Sequence, residues 1–172
     1  MKAGLYTAAL GAALLLAARA QAHVTLEVQE ATAGSFYKAT LKVPHGCEGQ
    51  PMVKMRVQLP DGVTNVKPQP KPGWKLATVK GRLGTPYDDG HGRMITEGIR
   101  EVVWSNGRLP DDQYDEFAMQ VRLPDAPNTT LHFLVVQECP KGVNRWIELP
   151  EAGKTSRDLK HPAPSLRLKP KS

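Results

Sequence analysis

What most constrains this chain is its punctuation. From His23 onward, short stretches of alternating apolar and polar residues follow one another, each closed by proline, glycine or both. Alternation with a period of two is the pattern of a half-buried strand. The fifteen prolines and fifteen glycines are scattered through the chain and leave little room for long helices. HVTLEVQEA and TAGSFYKATLKVP read as strands, with Phe36, Leu41 and Val43 as candidate core positions. MVKMRVQLP follows through Met55, Val57 and Leu59 and ends at the turn Pro60-Asp61-Gly62.

The prolines between Lys67 and Pro72 predict an extended segment that edges a sheet or crosses between sheets, because proline cannot donate to a central ladder. GRLGTPYDDGHGRMITEG reads as a long hairpin loop. In EVVWSNGRLPDDQYDEFAMQVRLP a strand through Val102, Val103 and Trp104 leads to a turn at Ser105-Asn106-Gly107. A second strand then places Phe117, Met119, Val121 and Leu123 on one face. TLHFLVVQE and NRWIELP complete seven or so strands. Short strands with turns between them and no helical period predict an all-β antiparallel sandwich of immunoglobulin or fibronectin type, with a small barrel as the alternative. One such domain is expected over residues 23–150, and residues 151–172 read as a loosely ordered basic tail rich in proline and lysine.

Residues 1–22 carry Lys2, an apolar run from Ala8 to Ala18 and a closing Ala20-Gln21-Ala22. That is the pattern of a cleaved secretory signal peptide, and the run is too short for a membrane-spanning helix of the mature chain. Cleavage after Ala22 leaves His23 as the first residue and predicts a periplasmic or secreted protein with no membrane anchor. The net charge of +6 is concentrated in the signal and in the basic residues after Gly153. No basic stripe with interleaved aromatics crosses the domain, so a nucleic-acid partner is not expected. Cys47 and Cys139, in an exported chain, predict a disulfide, and the alternative is a two-thiol metal site.

Signatures of the common catalytic folds are missing from the sequence: no G-x-S-x-G elbow, no phosphate-binding glycine loop and no H-E-x-x-H. His23 stands out for its position. At a free amino terminus, the α-amino group and the imidazole Nδ1 close a six-membered chelate on one ion, a nitrogen pair suited to Cu(II). Both nitrogens must be deprotonated to bind, so affinity falls in acid. Asp115 and Glu116 are adjacent acidic candidates for an oxygen donor, pointing to opposite faces of their strand. Phe117 shares its face with Asp115, which directs Glu116 away from the core. His45, His91, His132 and His161 read as ordinary polar residues, and Met55 and Met119 as core.

AHVTLE, TAGSFYKATLKVPHGC, VQLPDGVTNVKPQPKPGWKL, EVVWSNGRLPDDQYDEF and VVQECPKGVNRWIELP together resemble, in this order, the YcnI-like family of exported copper-binding proteins, also called DUF1775. The resemblance spans nearly all of the chain from His23 to about Pro150. It implies an immunoglobulin- or fibronectin-type sandwich holding one Cu(II) per chain in a monohistidine brace, with His23 in that place. It further implies an acidic ligand, Glu116 with Asp115 as the alternative, and a shielding tryptophan, Trp146 with Trp104 and Trp74 as alternatives. The two cysteines match a subset of the family. The chain departs from relatives that carry a C-terminal hydrophobic helix or a second methionine- and histidine-rich domain.

The function expected is therefore sequestration or transfer of Cu(II) without catalytic turnover, and the partner class expected for transfer is another periplasmic copper chaperone or a transporter. Two other readings stay open. One is a copper-dependent redox enzyme in which a second histidine, His132 being the best strand-borne candidate, completes the brace. The other is a metal-free sandwich that binds another protein through the proline-rich edge near Trp74.

Overall fold

The computed structural model describes residues 23–171. The signal-peptide expectation falls on residues 1–22 and lies outside them. Twelve strands follow in order: β1 (Thr25–Leu26), β2 (Glu30–Thr32), β3 (Phe36–Val43), β4 (Met52–Gln58), β5 (Thr64–Pro68), β6 (Lys75–Asp88), β7 (Met94–Leu109), β8 (Asp115–Arg122), β9 (Thr130–His132), β10 (Leu134–Cys139), β11 (Gly142–Trp146) and β12 (Ser165–Lys169). A single 3-10 turn at Ser156–Asp158 is the one helical element among the described residues, and none of their helices is long and apolar enough to cross a membrane.

Two sheets make the sandwich. One has the order β1-β3-β8-β5, the other β11-β10-β4-β7-β6. Their facing residues form one core: Leu41, Val43, Phe117, Met119 and Val121 from the first, Met55, Val57, Val102, Trp104 and Val135 from the second. The alternation that marked these runs is visible as burial, since from Phe117 onward every second residue of β8 is in the core. Phe117 stands between the layers, its ring 5.5 Å from Trp104 and 5.0 Å from Trp74 in edge-to-face contacts. The proline-rich segment edges the first sheet as β5, as its missing N–H donors require.

Four local expectations are corrected. Phe36 is 58 % exposed. It has the opposite parity to Leu41 and Val43, so Tyr37 takes the core side and Phe36 lies under the Arg122 guanidinium. The presumed loop 81–98 is mostly strand: β6 and β7 run out as a long hairpin that turns only at residues 89–93. Both strands are largely exposed there, so the apolar half of the alternation is lacking. The Ser105-Asn106-Gly107 stretch does not reverse the chain. It lies inside β7, where Asn106 at φ 58° adopts the left-handed backbone that asparagine tolerates, and the reversal comes at Pro110–Gln113. Gly107 is needed because a Cβ there would lie 2.1 Å from the ring of Trp74.

The fourth correction concerns the C-terminal tail, which is ordered. β12 is the centre of a third sheet, β2-β12-β9, pairing parallel with β2 and antiparallel with β9. Its Leu166 and Leu168 are fully buried, and Ala163 nearly so. The alternation in SLRLK is short and sits in a basic, proline-rich context, which hid it. The folded unit therefore continues past residue 150.

Candidate metal centre at the open edge of the sandwich

β1 is an outer strand of one sheet and β11 an outer strand of the other. His23, two residues ahead of β1, meets Trp146, the last residue of β11. The ring centroids are 5.4 Å apart at 58°. Against the same indole lies His161, at 5.3 Å and 65°, delivered by the segment that leads into β12. The C-terminal segment is held there by backbone bonds from Glu148 N–H to His161 O (3.1 Å) and from Ala163 N–H to Glu148 O (2.9 Å). The carboxylate of Glu148 accepts the His161 backbone N–H at 2.9 Å, and its other oxygen is 3.8 Å from His161 Nδ1.

Trp146 is fixed from behind. Its indole N–H donates to the side-chain oxygen of Gln137, which is fully buried, and the Gln137 amide donates to the carbonyl of His45 at 2.9 Å. Asn144 donates to the carbonyl of Gly46. Cys47 and Cys139 form a disulfide with a Cα–Cα distance of 6.1 Å, tying the same loop to β10. The expected pairing is present, and the two-thiol metal site is excluded.

Burial holds the pKa of His23 below its ordinary value, and the neighbouring His161 and then His45 lower it further. This favours the neutral imidazole, which is the form that binds a metal. Among the described residues no group of three or more histidines, cysteines, aspartates or glutamates could hold a metal ion. A brace does not need one, because it draws two nitrogens from a single residue. The residues fit a nitrogen-bound ion at His23 on this ground: an imidazole at the open edge of the sandwich, seated against an indole.

Other sequence-derived candidates lie elsewhere. Glu116 is exposed on β8, as its parity with Phe117 required, and accepts the Tyr114 hydroxyl proton, which pushes the Tyr114 pKa up to about 12. Thr25, Lys42 and Glu116 are opposite one another across β1, β3 and β8, so Glu116 is two strands away from β1. Asp115 pairs with Lys71 at 2.7 Å. Trp104 is fully buried and donates to the carbonyl of Gln69, and Trp74 packs on Phe117. His132 pairs with Ser165 in the third sheet, where burial lowers its pKa and leaves its Nδ1 without a hydrogen-bond partner.

Sequence reasoning passed over His161, Glu148 and Gln137. Gln137 had a legible signal, a polar residue at the core parity of Phe133 and Val135. His161 and Glu148 had none, because they meet through long-range pairing.

Comparison with known proteins agrees with this architecture. The family model described as "Domain of unknown function (DUF1775)" matches residues 23–168, so its match begins at His23. "Copper-binding protein CutI" of Bacillus subtilis (strain 168) is 30 % identical over 120 residues, covering 69 % of this chain and 52 % of that protein. The chain thus spans about half the length of this curated relative. A crystal structure of an uncharacterized protein from Nocardia farcinica, described as having an immunoglobulin-like fold, superposes with a TM-score of 0.63 at 27 % identity, covering 86 % of this chain and 98 % of that one. The chain has an immunoglobulin-like fold and belongs to the YcnI-like DUF1775 family.

Proposed function

We propose that this protein is exported to the periplasm or cell exterior and binds one Cu(II) per chain at His23, sequestering the ion or passing it to another copper-handling protein. The observation that carries the reading is the seating of His23 against Trp146, at the residue where the family match begins. The copper named for the Bacillus subtilis relative supports the choice of metal. So does the preference of a nitrogen pair for Cu(II), which leads the divalent first-row affinity series.

Bound copper supplies a positive centre that holds the deprotonated amine and imidazole together. The chain's own contribution is placement. β1 presents His23 at the open edge, and Trp146 walls one side. Gln137 keeps that wall from turning. In this reading Trp146 shields and does not ligate, because an indole has no good lone pair for a metal. Glu116, or Asp115 in its stead, engages Tyr114 or Lys71 through one carboxylate oxygen and keeps the other as the oxygen donor it could add. Glu148, by contrast, already belongs to the Trp146 neighbourhood. No catalytic turnover is assigned.

The test is isothermal titration with Cu(II) of protein beginning at His23, against the same protein with one extra N-terminal residue. Tight one-to-one binding by the first and loss of at least about a hundredfold in affinity by the second is expected, since the extension removes one of the two nitrogens. Equal affinity overturns the brace.

A further inference from the structure

His161 is the second imidazole on Trp146, and its surroundings are those of a metal ligand in waiting. Metal-bound histidines characteristically give their other ring nitrogen to a carboxylate, which fixes the tautomer and aims the lone pair. Here Glu148 stands ready for that role from the neighbouring segment: it accepts the His161 backbone N–H and holds its other carboxylate oxygen 3.8 Å from Nδ1, a small ring movement away from a hydrogen bond. That leaves Nε2 as the nitrogen available to an ion. The side chain is 31 % exposed, enough for the ring to move without unpacking the core. The His161 and His23 centroids are 5.3 and 5.4 Å from one indole, so both imidazoles pack against the same side chain, and they are close enough to feel each other's charge.

We propose that His161 supplies, through Nε2, a further nitrogen ligand to the ion held by His23, with Glu148 as its positioning residue; this rests on the proposed brace. The site then holds three nitrogens from two residues, one near each end of the domain. The arrangement also gives release a physical handle. Withdrawing one ring on the segment before β12 weakens the site without disturbing the amine chelate.

Pulsed electron paramagnetic resonance of the Cu(II)-loaded protein beginning at His23 counts coordinated imidazoles through their remote nitrogens. Wild type is expected to show two imidazoles. His161→Asn is expected to show one, with about tenfold weaker binding and an unchanged melting profile without copper, because Asn retains the backbone bonds of residue 161. Glu148→Gln keeps an acceptor for that backbone N–H but loses the charge, and should fall between the two in affinity. One imidazole in wild type, or identical spectra and affinities for wild type and His161→Asn, overturns the proposal and leaves the brace standing. Absence of any bound Cu(II) in wild type with His23 at the free terminus overturns both.

Discussion

Gln137 is the residue on which the order of the pocket should depend most steeply. It is fully buried in β10, accepts the indole N–H of Trp146 and donates to the carbonyl of His45. Gln137→Leu keeps the approximate volume but leaves both partners without this bond, the indole N–H in a buried position and the His45 carbonyl in a part-buried one. An orphaned buried donor or acceptor costs about 1–3 kcal/mol, so two cost about 2–6 kcal/mol, and the gain from burying the leucine offsets part of this. A net loss of about 3 kcal/mol is expected. For a domain of this length that corresponds to a fall in melting temperature of about 10 °C. Guanidinium unfolding followed by tryptophan fluorescence measures it, with an unchanged slope against denaturant showing that stability and not compactness has changed. The same variant should bind Cu(II) about tenfold less tightly, because the wall beside His23 is free to turn. A loss under 1 kcal/mol refutes the reasoning, since it means the two partners find other bonds or the leucine compensates fully.

Other outcomes follow from the same geometry. The Cys47–Cys139 bridge spans 92 residues, so Cys47→Ser combined with Cys139→Ser should cost about 4–5 kcal/mol in the chain-entropy model, read by the same denaturation assay. Leu168→Ala, at a fully buried position of β12, should cost about 2–5 kcal/mol; if the tail were loosely attached, the cost would be near zero. His132, whose folded pKa lies below the ordinary 6.5, is protonated more readily in the unfolded chain. Its contribution is fully present above pH 6.5 and is lost as pH falls below that value through the lower folded pKa, so the melting temperature should drop on acidification and the drop should shrink in His132→Gln.

The fold was legible in the sequence where one face of a strand is buried and the other wet. In β3, β4 and β8 the alternation named Leu41, Val43, Met55, Val57, Phe117 and Met119 as core residues, and all are buried. It failed where both faces are exposed, as in the outer β6–β7 hairpin, since no apolar half marks the strand. It failed too for β12, whose two leucines are too few to outweigh the surrounding basic and proline residues. Asn106-Gly107 misled because left-handed backbone and a missing Cβ serve equally to reverse a chain and to seat a ring such as Trp74. At the candidate site, His23 was found by position and Trp146 by family resemblance. His161 and Glu148 meet them only through the pairing of distant segments, which no local pattern encodes.

The parallel pairing of β12 with β2 has a consequence for timing. Arg167 lies beside Glu30, and Lys169 beside Thr32, so the amino end of the domain gains its neighbour only when nearly the whole polypeptide is at hand. A chain emerging amino end first leaves His23 accessible while everything up to the final strand is still arriving. The nest around Trp146, which needs His161 from the segment before that strand, closes only at the end.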